Sequence, residues 1–298
     1  MSEAGLQDVA VFEEPLQESA LLALEWSKRH CVQALGQNKG CAWYHGSWQV
    51  LRLLGVFHSI RSDDDFFLPA LSRLLADGVR NILISGAADY ALLARVVAAA
   101  GAQSGSIRVT VIDRCATPLR LNSWYGARAG VEVEVVQGDI LELEASEQFD
   151  LVCTHSFICF FDEPDRRRLL SSWWDCLRPG GRVLTAQRAR TRDHKPIICY
   201  AEDEVQVLVE RARHLAEAQF PVLGIAPELA SQLALGYGRY HWTYLVRTAE
   251  EIRALFLERG FELDIFEPPG GLQPINDTPG TPNQGGSVRW RVLAKKPA

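Results

Sequence analysis

The feature that most constrains this chain is a recurring unit: a short run of β-branched and apolar residues, then a turn, then a helical pattern. The first run, residues 81–85, places Ile82, Leu83 and Ile84 ahead of the turn Gly86-Ala87-Ala88-Asp89-Tyr90, and the Ala-rich segment 91–100 then suits a helix. The unit repeats with a strand at 108–113 ending on Asp113, a helix at 118–129, a strand at 131–136 followed by Asp139, and a strand at 149–154. A helix at 164–177, with Asp162 as its cap and Pro164 in its first turn, leads through Arg178-Pro179-Gly180-Gly181 to a fifth strand at 182–186. Strands alternating with helices at this spacing imply right-handed crossovers and a parallel sheet covered on both faces. Ligands of such sheets bind beyond the carboxyl ends of the strands. The turn at Gly86 is a degenerate version of a glycine-rich fingerprint, because Ala88 and Tyr90 stand where further glycines belong. Taken alone, it is equally compatible with a plain strand-to-helix connection.

The flanks break the alternation. Residues 1–75 read as a helical cap, with Trp43, Tyr44, His45 and Trp48 gathered ahead of the apolar positions Val50, Leu51, Leu54 and Phe57. That aromatic stripe is either core packing or a lid over a pocket. Ser62-Asp63-Asp64-Asp65 precedes a helical pattern, so helix capping explains it more simply than a metal site. Residues 190–247 form an insertion with a basic start, a long helix at about 202–219 and an aromatic segment 237–244. A helix at 249–259 ended by Gly260, strands at 261–266 and 288–293 and a Pro/Gly-rich loop at 268–286 complete the chain. The expected fold is α/β: a seven-stranded doubly wound sheet, mostly parallel with the last strand antiparallel. It carries an N-terminal cap over residues 1–75, and the domain 76–298 holds the inserted cap segment after strand 5.

Composition excludes several function classes. A net charge of −6, from 31 Lys plus Arg against 37 Asp plus Glu, argues against broad phosphate-driven binding of nucleic acid. The seven cysteines (31, 41, 115, 153, 159, 176 and 199) include no Cys-x-x-Cys pair, so their spacing indicates neither a zinc site nor a disulfide framework, and no metal is expected. Scattered free thiols, no signal-peptide pattern and no apolar run of about 18 residues point to a cytoplasmic chain without a membrane span. The Asn276-Asp277-Thr278 sequon is then accidental. The sequence says nothing of oligomeric state.

The ends of the strands together resemble the class I S-adenosylmethionine-dependent methyltransferases. The likeness covers about 78–190 and 248–295. It rests on the turn at Gly86, the acid Asp113 ending the second strand, Gly138-Asp139-Ile140 after the third, Phe149-Asp150-Leu151-Val152 in the fourth, and Leu177-Arg178-Pro179-Gly180-Gly181 before the fifth. The resemblance implies S-adenosyl-L-methionine as cofactor. Asp113, with Arg114 beside it, would meet the ribose hydroxyls, and Asp139 and Ile140 the adenine. Gly86, Ala87, Ala88 and Asp89 would approach the methionine end, and His155, Ser156 and Phe157 would line the path from sulfonium to acceptor. Ile84 stands where the family commonly has an acid in the first strand, and glycines are missing at 88 and 90, so cofactor contacts from Tyr44, Trp48 or Arg52 in the cap are expected to compensate.

Methyl transfer from a sulfonium asks the protein mainly for placement and desolvation. His155 is the candidate general base, since an unperturbed imidazole titrates near neutrality, although a histidine bonded to backbone is an equal alternative. Tyr44, His45, Trp48, Arg188, Tyr200, Tyr240 and His241 are candidates for binding a small organic acceptor, with Arg188, Arg190 and Arg192 suited to a carboxylate or phosphate. The leading expectation is a small-molecule methyltransferase, natural-product tailoring being one setting. The alternatives are an enzyme that cyclises or cleaves the same cofactor, as in azetidine-2-carboxylate formation with release of methylthioadenosine, and a cofactor-binding protein without catalysis.

Overall fold

The computed structural model describes residues 15–34, 40–57, 60–191, 195–269, 282 and 287–298. Residues 276–278, Arg192 and most of the 268–286 loop lie outside the described residues. The apolar runs form β1 (Asn81–Ser85), β2 (Arg108–Asp113), β3 (Val133–Gln137), β4 (Phe149–His155), β5 (Leu177–Arg190), β8 (Glu262–Glu267) and β9 (Ser287–Lys295). They make one seven-stranded sheet in the order β3-β2-β1-β4-β5-β9-β8, in which β9 runs antiparallel to both of its neighbours and the other pairings are parallel. The order places the ends of β1, β2 and β4 side by side at the centre, where the chain direction of the connections reverses.

Period-two alternation delivers side chains to both faces. Ile82 and Ile84 pack into one core with α3 (Asp64–Ala76), α4 (Ala91–Ala100) and α5 (Ala116–Ala129). Leu83, between them, packs into the other, with α6 (Glu163–Cys176) and α9 (Ala249–Arg259). Caps fix where these helices begin. Asp162 accepts from the Asp165 N–H at 3.0 Å and Thr248 from the Glu251 N–H at 3.1 Å. Asp150, at the start of β4, accepts from the backbone N–H groups of Arg80 and Asn81 at 3.0 and 2.8 Å and so locks the register of β4 against β1.

A third apolar cluster lies outside the sheet. α2 (Ala42–Leu53) contributes Val50 and Leu51, α7 (Glu202–Leu223) contributes Leu208, Ala212 and Ala216, and α8 (Pro227–Tyr240) contributes Ala230, Ala234 and Tyr237. α8 packs on both α7 and α2, whereas α1 (Leu16–His30) packs on α2 and α5. The N-terminal and inserted segments therefore meet above the sheet, next to the two-stranded ribbon of β6 (Ile197–Ile198) and β7 (Thr243–Tyr244).

Two expectations change. Arg178-Pro179-Gly180-Gly181 belongs to β5 instead of preceding it: Gly180 takes a positive φ of 79°, its N–H donates to the Lys296 carbonyl at 2.9 Å, and the register with β4 shifts there. The acidic run does not cap α3 through side chains. Asp63 accepts from Arg289 at 2.6 Å, Asp64 pairs with the fully buried Arg95 at 2.9 Å and Asp65 pairs with Arg291 at 2.5 Å. Three consecutive carboxylates thus tie α3 to α4 and β9, because buried guanidinium groups offer stronger partners than a solvated helix end.

Candidate active site at the strand ends

The turn after β1 is held by acids, each engaged with protein partners. Gly86 has φ 72° and its N–H donates to the Ile112 carbonyl at 3.0 Å. The Phe157 ring lies directly against it, so a Cβ at position 86 would run into that ring. Asp113 accepts from the Ala87 N–H at 3.0 Å through one oxygen and from the Cys115 N–H at 2.8 Å through the other. Burial raises its pKa above the usual carboxylate range, opposed chiefly by the charge of His45 and by those two N–H groups. Asp89 is almost fully buried; it accepts from the Ala91 N–H at 2.7 Å and forms a buried ion pair with Arg52 of α2. An ammonium at Asp89 would have to share it with Arg52. Asp139 accepts from the Leu141 N–H at 3.0 Å, which caps the next turn, and lies 3.9 Å from the exposed Arg114 guanidinium. Ile140 is buried beside it.

The end of β4 carries the least ordinary backbone of the site. Ser156 has φ 51°, a left-handed conformation that costs a side chain about 1–2 kcal/mol, and its buried hydroxyl finds no partner among the described residues. His155, just before it, places Nε2 2.9 Å from the fully buried Asp63 carboxylate, which Arg289 also holds. Burial works against ionising Asp63, but the hydrogen bond from His155 and the charge of Arg289 outweigh it and bring its pKa down to about 2. Burial also lowers the His155 pKa, the Asp63 bond only partly compensating. His155 is therefore neutral at neutral pH. With Asp63 ionised, Nε2 donates the proton and Nδ1 keeps its lone pair.

Beyond the strand ends, the third cluster supplies an aromatic cage. The Tyr44 ring lies 5.5 Å from Trp48, 6.0 Å from Tyr237 and 6.4 Å from Phe160, while Trp48 stacks on Phe57 at 5.4 Å. His241 stacks on Tyr237 at 5.2 Å and meets Tyr200 edge-on at 5.4 Å. Tyr237, one turn before His241 on α8, links most of these rings and was not singled out from sequence; its spacing from His241 was the available signal. Tyr240 makes none of the described ring contacts. His45 points elsewhere, with Nδ1 3.6 Å from Cys31 Sγ.

Arg188 of β5 faces this cage. Burial, followed by the charges of Arg289 and Arg190, brings its pKa down to about 9. Burial and then those of Arg190 and Arg188 bring His241 to about 3. Arg289 has Asp63, and Arg190 donates to the Pro282 carbonyl at 2.8 Å. Arg188 has no hydrogen-bonding or carboxylate partner among the described residues.

Residues 91–181 match the family model described as a methyltransferase domain, a span from α4 into β5 that starts just after the degenerate turn. Residues 91–181 thus carry a methyltransferase domain on a seven-stranded α/β sheet, and the chain resembles the class I S-adenosylmethionine-dependent methyltransferases. Among solved structures, a putative O-methyltransferase from Nostoc punctiforme is similar at 13% identity and TM-score 0.50, over 97% of this chain and 72% of that one. Geranyl diphosphate methyltransferase is similar at 11% identity and TM-score 0.50, over 79% and 77%. The Burkholderia thailandensis 1,6-didemethyltoxoflavin N1-methyltransferase reaches 18% identity and TM-score 0.48, over 80% and 82%. No curated protein sequence matches the chain.

Proposed function

We propose that this protein methylates a small, planar organic molecule that carries an anionic group, bound between the strand ends and the helices above them. The observation that carries the reading is Arg188: a half-buried guanidinium without a carboxylate partner among the described residues, set against the rings of Tyr200, Tyr237 and His241. A partly desolvated cation is stabilised by an anionic partner, and a carboxylate or phosphate on the acceptor would supply one. The rings supply flat apolar walls, as small-molecule pockets commonly do.

The residues at the strand ends fit S-adenosylmethionine, the cofactor of this class, which when bound supplies an electrophilic methyl group. Each Asp113 oxygen accepts one backbone N–H and retains a lone pair for a ribose hydroxyl. Gly86 keeps the turn free of a Cβ, and the Phe157 ring resting on it would shift to admit the methionine end. The Ser156 hydroxyl, buried and unpartnered, is available to a ligand at the end of β4. Neutral His155, oriented by Asp63, would take a proton from the acceptor through Nδ1.

The test is turnover with labelled cofactor against a panel of aromatic acids, phosphates and their neutral isosteres. Methylated product from the anionic members, with a KM raised at least tenfold by Arg188→Met and little change in cofactor affinity, is the expected result. Methylthioadenosine released with no acceptor present would overturn the proposal in favour of cofactor cyclisation or cleavage.

A further inference from the structure

Four side chains that the sequence keeps apart come together on the flank of the site. Cys31 follows the last turn of α1, Cys41 immediately precedes α2, His45 lies in the first turn of α2, and Cys115 follows β2 by two residues. Their ligand atoms, three Sγ and one imidazole nitrogen, all lie within 4.8 Å of one another. Cys31 Sγ is 3.4 Å from Cys115 Sγ and 3.6 Å from His45 Nδ1. These are separations for donors surrounding one small ion: bonds of about 2.3 Å to sulfur and 2.0–2.1 Å to nitrogen put the corners of a tetrahedron roughly 3.5–3.8 Å apart. They are far longer than the 2.03–2.05 Å sulfur–sulfur bond of a disulfide, and a multi-iron cluster would need its ligands more widely spread.

The surrounding backbone holds the arrangement in place. The Cys41 and Ala42 N–H groups both donate to the Val32 carbonyl, at 3.1 and 3.3 Å, which brings Cys41 beside Cys31 at the end of α1. The His45 N–H donates to the Cys41 carbonyl at 3.0 Å, one helical turn on, which sets both side chains on the same side of α2. Thr117 Oγ1 lies 3.1 Å from Cys31 Sγ, where a hydroxyl can donate to a metal-bound thiolate. Three of the four residues are buried, and all the cysteines of the group are free.

We propose that Cys31, Cys41, His45 and Cys115 bind one Zn2+ ion, which fastens the N-terminal helices to the end of β2. Three thiolates and one imidazole form a donor set suited to zinc, and four protein ligands leave no open position, so the role is structural. The site joins parts that matter: Cys115 donates its N–H to Asp113, and α2 also carries Tyr44, Trp48 and Arg52. An ion here would hold the α2 wall of the cage in register with the carboxylate at the end of β2. The spacing of 10, 4 and 70 residues between successive ligands has no sequence signature, which is why the cysteines looked unrelated.

The experiment is metal analysis of the full-length protein, purified under reducing conditions and passed over a chelating resin, with cobalt substitution as a second readout. The expected results are about one zinc per chain, the intense visible bands of tetrahedral thiolate-bound cobalt, and loss of most bound zinc in Cys41→Ser but not in Cys199→Ser. Because a ligand variant could fail to fold, the cobalt spectrum of the unmutated protein stands as an independent criterion. Folded protein that neither retains zinc nor binds added zinc or cobalt would overturn the proposal. A Cys31–Cys115 disulfide recovered by peptide mapping of protein alkylated under native conditions would do so as well.

Discussion

Replacing Asp63 by asparagine probes the polar connection between α3, β4 and β9. The carboxylate is fully buried, its pKa lies near 2 against an ordinary 3.8, and it holds both His155 and Arg289. At about 1.4 kcal/mol per pH unit, that lowering corresponds to about 2 kcal/mol of native-state stabilisation. Asparagine removes this and also leaves the buried Arg289 guanidinium without its counter-ion, so the total loss at neutral pH should reach about 3–5 kcal/mol. The pH dependence has a fixed sign. A carboxylate with a lowered folded pKa stabilises above its unfolded value and loses that contribution as pH falls through the folded one, so the unmutated protein should lose this stabilisation between about pH 4 and 2. His155, whose folded pKa is lowered, adds acid sensitivity below the ordinary imidazole range, since the unfolded chain takes up its proton first. Urea unfolding of both proteins from neutral to acid pH measures the effect. The gap between them should be wide at pH 7 and shrink below pH 4. A neutral-pH difference under about 1 kcal/mol, or a gap that is constant with pH, would refute the assignment of Asp63 as a buried ionised partner.

Further outcomes follow from single contacts. Ser156→Gly should stabilise the fold by about 1 kcal/mol in denaturant titrations, because it relieves a left-handed side chain and removes an unpartnered buried hydroxyl. Gly86→Ala should destabilise by at least about 1 kcal/mol from its positive φ alone, and part of the total loss should return in Gly86→Ala/Phe157→Ala, where the ring clash is gone. Arg52→Met, which strands the buried Asp89 carboxylate, should cost about 3–5 kcal/mol by the same assay. Tyr237→Ala should raise the acceptor KM in steady-state kinetics by much more than it weakens cofactor binding.

The sheet was legible because it is written locally. Runs such as Ile82-Leu83-Ile84 alternate between two cores, and the acids that end strands, Asp113 and Asp139, stand where the turns need acceptors. α8 was not legible: Gly236 and Gly238 lower its helical propensity, and it forms because Ala230, Ala234 and Tyr237 bury against α2 and α7. Reading Ser62 to Asp65 as a cap was sound local chemistry overridden at long range, since the partners Arg289 and Arg291 lie 226 residues further along the chain than Asp63 and Asp65. The same distance problem hid the cage and the thiol cluster. Tyr44 and Tyr237, or Cys31 and Cys115, acquire meaning only when the fold has brought their elements together.

Calorimetric titration with S-adenosylhomocysteine decides whether the strand ends around Asp113 hold S-adenosylmethionine as proposed. The unmutated protein should bind one equivalent, and Asp113→Ala should weaken binding by about 1.5–3 kcal/mol, a factor of roughly 10 to 150, through the lost ribose hydrogen bonds. No measurable binding to the folded, unmutated protein, or equal affinity in a folded Asp113→Ala variant, would contradict it.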